Sequence, residues 1–284
     1  MRWCWLFCCW WLCADCFAAA QKVVYAWPKA MAADERGHYP IALLQLALAK
    51  SGQPYQAVPS EILMSQYRTL RQLELAQGVD VVWTMTSPER ERQLRAIRIP
   101  LDRGLIGWRL LLIRAGDQTR FSALPPWQLK ELTTVQGLDW PDYAILKSNH
   151  FKVFNSNSFA GMFDMLQAKR VDYFPRSVTE IWPELHSRPQ LNLQVAPQLV
   201  LYYPAALYFF VQKDNKALAD SIEKGLRLAM QDGSMKQLFL QHFSEVLQKA
   251  DLANRIIVPL TNPLLPPETP LQDRALWFDP QQGY

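Results

Sequence analysis

Two stretches lying 92 residues apart read alike, and the likeness limits what the chain can fold into. Ala76-Gln77-Gly78-Val79-Asp80 runs into Val81-Val82-Trp83, and Ala168-Lys169-Arg170-Val171-Asp172 runs into Tyr173-Phe174-Pro175. Each copy follows an amphipathic helical pattern and enters a short β-prone run. The runs end in polar residues, Thr84 to Arg90 in the first copy and Arg176 to Glu180 in the second. A unit built twice predicts two similar α/β lobes facing each other across a cleft.

The rest of the chain fits that plan. Val23-Val24-Tyr25 reads as a strand that Pro28 terminates. Ile41, Leu44 and Leu48 fall on one helix face that Ser51-Gly52 stops, and Leu63, Tyr67, Leu70 and Leu73 mark a second helix. Alternation of strand and helix predicts a mainly parallel sheet. Trp108 to Ile113 is nearly all apolar, as in a strand buried on both faces, and leads into the second lobe. There Val135-Gln136-Gly137 and the stripe Phe159, Met162, Phe163, Leu166 repeat strand and helix. Leu201 to Val211 returns the chain to the first lobe, followed by a helix through Leu218, Ile222, Leu226 and Ala229, a break at Asp232-Gly233 and a short helix to Phe243. The expected division is 21–107 plus 206–284 for lobe 1 and 108–205 for lobe 2. Five prolines from Pro259 to Pro270 predict that the tail, 252–284, is an extended strap packed on the first lobe, with docking of a partner as its other reading.

Residues 1–20 are set apart, because Arg2, the apolar run Trp3 to Cys13 and Ala18-Ala19-Ala20 have the layout of a secretory signal, so the mature chain begins near Gln21. That run is too short to span a bilayer, which takes about 20 apolar residues. All five cysteines (Cys4, Cys8, Cys9, Cys13 and Cys16) lie within residues 1–20, leaving the exported chain without a disulfide or thiolate chemistry. Cys16 is a poor lipidation site, since Cys13-Ala14-Asp15 before it does not make a lipobox. A net charge of +4 argues against a nucleic-acid partner. The four histidines lack metal-ligand spacing, and no nucleophile elbow or phosphate loop is present, so neither metal nor cofactor is expected. Seven arginines crowd the segment from Arg90 to Arg114, either as a solvated face or as a cleft wall tuned to an anion.

Taken in order, the leader, Gln77-Gly78-Val79-Asp80, Thr84-Met85-Thr86-Ser87-Pro88-Glu89-Arg90, Lys169-Arg170-Val171-Asp172, and Ala217-Leu218-Ala219 to Asp232-Gly233-Ser234 resemble the family 3 extracellular solute-binding proteins. The resemblance spans Val23 to Phe243. It implies an α/β, two-lobed periplasmic-binding-protein fold of type II, with two hinge crossovers and a ligand trapped as the lobes close. It also implies that Arg90 grips a ligand carboxylate with its planar guanidinium. Ser87 as cap and Pro88 at the first helical position suit a helix start there. Thr84, Thr86, Arg176, Ser177 and Glu180 complete the implied site, with Trp27, Tyr39 and Trp83 as aromatic residues at the cleft rim.

Two departures qualify this. Pro100 comes one residue later than the family pattern, and Ser177, beside Arg176, stands where the family places the acid that binds an ammonium group. Arginines from both lobes without a matching carboxylate would repel an ammonium ion, unless Glu180 reaches back to serve. The expected function is an exported monomer that traps a small polar, anionic or zwitterionic metabolite and presents it to an inner-membrane permease. The alternatives are a periplasmic sensory protein read by a membrane receptor, and a dehydratase-like enzyme on the same fold.

Overall fold

The computed structural model describes residues 20–27, 31–32 and 34–284. The leader apart from Ala20, with its cysteines, and the strand stop at Pro28 lie outside these residues. Lobe 1 begins with β1 (Gln21–Tyr25), α1 (His38–Ser51), β2 (Tyr55–Pro59), α2 (Gln66–Glu74), β3 (Val81–Met85), α3 (Pro88–Gln93) and β4 (Leu94–Ile97). Lobe 2 holds β5 (Trp108–Arg114), α4 (Gln118–Ser122), β6 (Thr133–Gly137), α5 (Pro141–Ser148), β7 (Lys152–Ser156), α6 (Phe159–Gln167), β8 (Phe174–Ser177), α7 (Ile181–His186) and β9 (Leu193–Tyr202). The chain then returns through β10 (Leu207–Gln212), α8 (Lys216–Gln231) and α9 (Ser234–Ala250), and ends in a tail that carries β11 (Ile256–Pro259).

The first sheet has the order β2-β1-β3-β10-β4, with β10 antiparallel to both neighbours. In the second, β11-β9-β5-β8, strand β5 is antiparallel to β9 and β8, and the parallel pair β6-β7 joins through a bridge from Thr134 to Tyr173. The order β7-β6-β8-β5-β9 thus repeats β2-β1-β3-β10-β4 strand for strand. The aspartates of the repeated motif do the same job in each copy. Asp80 Oδ2 accepts from the Val24 amide and Asp172 Oδ2 from the Thr133 amide, both at 2.8 Å, so each hooks the chain entering β3 or β8 to the start of β1 or β6.

Burial explains the apolar runs, since Leu110 to Ile113 on β5 and Tyr208 to Val211 on β10 are closed off on both faces. Helix α8 is capped by Asn215 and buries Leu218, Ile222, Leu226 and Ala229. It crosses α1 so closely that a Cβ on Gly225 would lie 1.8 Å from the Ala47 carbonyl oxygen. Two details differ from expectation. Helix α2 starts only after its cap Ser65, which leaves Leu63 outside it and exposed. Helix α9 is 17 residues long rather than short, because the buried row Met235, Phe239, Phe243 continues to Ala250 before the left-handed Asp251 ends it. Among the described residues no helix is long and apolar enough to cross a membrane.

The crossovers, residues 98–107 and 203–206, run side by side. A Cβ at Gly107 would meet the Tyr203 carbonyl oxygen at 2.1 Å, so only glycine permits this approach. The tail departs from the expected strap on the first lobe alone. Strand β11 adds in parallel to β9 at the edge of the second sheet, and Asn149, at the end of α5, bonds both ways with Thr261. Beyond it, Trp277 packs with Tyr208 and Phe210 of the first lobe, and its ring lies over Gly104 in the crossover. Arg103 donates to the carbonyls of Ala275 and Trp277, and its guanidinium stacks 3.9 Å from the Tyr284 ring centroid.

Candidate functional site

A cavity of about 950 Å³ lies between the lobes. Its lobe 1 wall is built by the ends of β1 and β3 and the start of α3, and its lobe 2 wall by the corresponding ends of β6 and β8 with α5, α6 and α7. Open α/β sheets place ligands at such strand ends.

Arg90 is held at this junction by a local consequence of Ser87-Pro88. The Ser87 hydroxyl accepts from the Arg90 amide, proline starts the helix, and the side chain turns inward where it is 7% exposed. Its Nη1 donates to Thr84 Oγ1 at 2.8 Å and to the Met85 carbonyl at 2.6 Å, while Nη2 donates to Gln66 Oε1 at 2.6 Å. The fourth bond crosses the cleft to the carbonyl of Asp139 on lobe 2, at 3.3 Å. Every one of these partners is uncharged, and among the described residues Arg90 forms no ion pair. Burial pulls its pKa down to about 10, so it stays charged at neutral pH.

The other cleft arginines are all paired. Arg36 bonds Asp34 and, across the cleft, Glu184 Oε1 at 3.3 Å. Glu184 holds Arg176 in a two-pronged pair, with Nε to Oε2 at 2.7 Å. Arg176 Nη2 lies 3.0 Å from Glu180 Oε2, which is also 3.4 Å from Arg109 Nη1. Arg109 ends the series on Asp142 Oδ1 at 2.6 Å, and its Nε donates to the Tyr203 hydroxyl at 2.9 Å. Asp34, Arg36, Glu184, Arg176, Glu180, Arg109 and Asp142 therefore form an alternating ladder of four acids and three arginines, a net of minus one. Burial works against each charge, but the neighbours win. The acids hold Arg109 and Arg176 above the ordinary arginine value, and Arg176, Arg109 and Arg36 hold the Glu180 carboxyl below the usual carboxylate range.

The ladder corrects the expectation of an uncompensated arginine pair that repels an ammonium group. The matching acids exist, but Asp142 comes from α5, Glu184 from α7 and Glu180 from the residue that precedes α7, rather than from the position of Ser177. Glu180 does reach back toward the cavity, as the alternative had it. Only its Oε2 is engaged, Oε1 accepts no bond from the described residues, and the side chain is 24% exposed.

Of the residues singled out in the sequence, Trp27, Tyr39, Trp83, Thr84, Arg90, Arg176 and Glu180 line the cavity. Thr86 and Ser177 do not. Thr86 donates to Glu91 Oε1 at 2.6 Å inside the α3 turn, and Ser177 donates to the Leu105 carbonyl at 3.2 Å, tying β8 to the first crossover. Tyr39 belongs to the hinge end rather than the rim, with its hydroxyl on the Leu101 carbonyl at 2.6 Å and its ring 4.6 Å from that of Phe243. The arginine-rich segment does not form one wall. Arg90 and Arg109 face the cavity, whereas Arg98 and Arg114 pair with Glu91 and Asp117 and Arg103 holds the tail.

Sequence reading missed Arg36, Gln66, Trp140, Asp142, Phe159 and Glu184. Signals for some were there: Glu184 lies one helical turn after Glu180, and Pro141 starts α5 as Pro88 starts α3. Gly137 is small so that the Trp140 ring can fold back, since a Cβ there would sit 2.6 Å from the indole. The rings of Trp140 and Phe159 pack at a tilt with centroids 6.2 Å apart, opposite the pair Trp27 and Trp83, tilted likewise at 5.8 Å. Among the described residues no group of three His, Cys, Asp or Glu side chains is placed to hold a metal ion.

Two lobes of matching topology, joined by adjacent crossovers around a charged and aromatic cleft, make the two-lobed fold of the periplasmic binding proteins. Solved structures of amino-acid-binding proteins share it. An ancestral arginine-binding protein bound to glutamine superposes with a TM-score of 0.59 at 16% identity, covering 78% of this chain and 97% of its own. The arginine-specific periplasmic binding protein of Salmonella typhimurium gives 0.58 at 18% identity, with 79% and 100% covered. A histidine kinase sensor domain similar to periplasmic binding proteins gives 0.57 at 14%, with 78% and 96% covered. No protein-family model and no curated protein matches the sequence. The resemblance to family 3 solute-binding proteins is therefore borne out as a likeness of fold.

Proposed function

We propose that the protein is an exported solute-binding protein that closes on a zwitterionic amino acid or a close analogue. One observation carries this reading. Among the described residues Arg90 is the buried cleft arginine that forms no ion pair, and it faces a ladder that is negative by one charge, with the Asp139 and Asp142 carboxylates near enough to favour its charged form without pairing with it. A buried charge needs a counter-ion, and a ligand carboxylate meeting the Nε and Nη2 edge of Arg90 supplies it by displacing the 3.3 Å contact to Asp139. Glu180 Oε1 is the acceptor offered to an ammonium group, and Trp27, Trp83, Trp140 and Phe159 supply flat apolar walls for the remainder. Titrating the wild type and Arg90→Ala calorimetrically with a panel of L-amino acids tests this: binding in the wild type that the substitution abolishes supports it, and equal binding in both refutes it.

Residues 98–107 and 203–206 serve as the hinge, with lobe 1 and lobe 2 closing as bodies. The leader directs the chain to the periplasm, where it acts as a monomer and delivers its ligand to an inner-membrane permease; N-terminal sequencing of the mature protein checks the cleavage near Ala20. A sensory role is the second reading, favoured by the likeness to a kinase sensor domain. The ligand-loaded protein binding a permease or a receptor in detergent separates the two.

A further inference from the structure

The cavity contains a guanidinium that belongs to the chain itself. Arg36 leaves lobe 1 just before α1 and reaches lobe 2, where its guanidinium carbon lies 4.6 Å from the Phe159 ring centroid and 6.0 Å from that of Trp27. An aromatic residue from each lobe thus flanks it, and Asp34 and Glu184 are its anionic partners. Aromatic faces over its plane and carboxylates at its N–H edges are what a guanidinium requires. Arg36 is held there by its own loop, since Asp34 caps the short turn and bonds the Arg36 amide at 3.1 Å. Gly37 leaves room for the Trp27 indole, which a Cβ would strike at 2.5 Å.

Resting on the reading of this cleft as an amino-acid site, we propose that Arg36 is a built-in occupant of a guanidinium slot, which makes the protein select uncharged side chains and reject arginine. A ligand bearing its own guanidinium or ammonium at the far end would have to expel Arg36, leaving that cation unpaired. It would also enter a region where Arg176 and Arg188 already face Phe159, at 5.7 and 5.0 Å. An uncharged side chain lies against the Arg36 stem and the aromatic walls with no such conflict. Arg36 joins the lobes as well, so its seat exists only when they are together, and it adds to closure whatever the ligand.

Removing Arg36 inverts this preference. The ladder falls to four acids against two arginines, and Asp34 loses its partner, leaving an aromatic slot with an excess of two negative charges. Methylguanidinium, which can fill the slot without touching Arg90, and L-arginine, which can reach both, are the probes. Isothermal titration of the wild type, Arg36→Ala and Arg36→Gln is expected to give at least about tenfold tighter binding of both probes to the variants than to the wild type. The glutamine variant keeps the stem and covers the case in which alanine impairs folding, which a thermal melt reveals. In an Arg36→Ala, Arg90→Ala double variant, methylguanidinium still binds and L-arginine loses its advantage. Wild-type protein that binds L-arginine as tightly as the variants, or folded variants that bind neither probe, overturns the inference. Methylguanidinium binding with an L-arginine affinity indifferent to Arg90 would keep the slot and reject the carboxylate anchor. Loss of neutral amino-acid binding in Arg90→Ala alone, with no gain in the Arg36 variants, would do the reverse.

Discussion

Arg176 and Glu184 face each other in lobe 2 as a two-pronged pair in which both side chains are almost wholly buried, with 3% and 1% exposure. A pair so buried is worth little beyond an apolar pair of equal volume, but breaking it is costly because one charge is left alone. Glu184→Gln leaves Arg176 with Glu180 and Arg36 with Asp34 as their remaining anions, and is therefore expected to destabilise the protein by up to about 3–5 kcal/mol. The double variant Arg176→Met, Glu184→Leu should lose markedly less. Urea unfolding of the three proteins checks this; a double variant no more stable than the single one would contradict it.

Asp102 sits in the first crossover, buried, accepting from the amides of Ile106 at 2.7 Å and Gly104 at 3.1 Å. Burial pushes its carboxyl up to about 7. The folded state thus keeps a proton that the unfolded chain gives up near pH 4. Its contribution is fully present below that pH and is lost as pH rises toward 7, by up to about 4 kcal/mol. Glu180, Asp34 and Asp172 have depressed values and act at lower pH, since their stabilisation is lost only as pH falls through their folded values. Denaturation midpoints measured between pH 4 and 7 should decline with pH in the wild type and be flatter in Asp102→Asn. Equal slopes would rule the assignment out.

Gly225 is fixed by contact with Ala47 rather than by backbone conformation. Gly225→Ala forces α8 away from α1 and is expected to cost about 1–3 kcal/mol despite alanine's better helix propensity. Thermal unfolding reads the result, and a gain in stability would show that the helices separate freely.

Much of the scaffold was legible in the sequence because each lobe repeats the same local rules. Pro88 and the runs apolar on both faces are set by neighbours a few residues away, which a linear reading sees, and Asp80 and Asp172 showed as a repeat although the amides they hold lie 56 and 39 residues off. Arg90 was legible for the same reason, being placed by Ser87 and Pro88 one turn before it. The ladder was not. Arg36 and Glu184 are 148 residues apart, and Tyr203 meets Asp142 across 61, so only the packed lobes bring them together. The strand β11 escaped notice because a proline-rich tail gives no periodicity, whereas its Ile256-Ile257-Val258 stretch finds an open sheet edge at β9. Thr86 and Ser177 were placed in the site by motif alone, and hydrogen bonds to Glu91 and to the Leu105 carbonyl turn their hydroxyls away from it.

The role proposed for Arg90 is to anchor a ligand carboxylate. Thermal unfolding of residues 21–284 with and without each L-amino acid bearing an uncharged side chain, in wild type and Arg90→Ala, tests it most directly. A ligand at 100 times its dissociation constant adds about 2.7 kcal/mol, enough to raise the midpoint measurably. Such a rise is expected for at least one of these amino acids in the wild type and is expected to disappear in Arg90→Ala; the same rise in both proteins, or none in the wild type, would rule Arg90 out as the anchor.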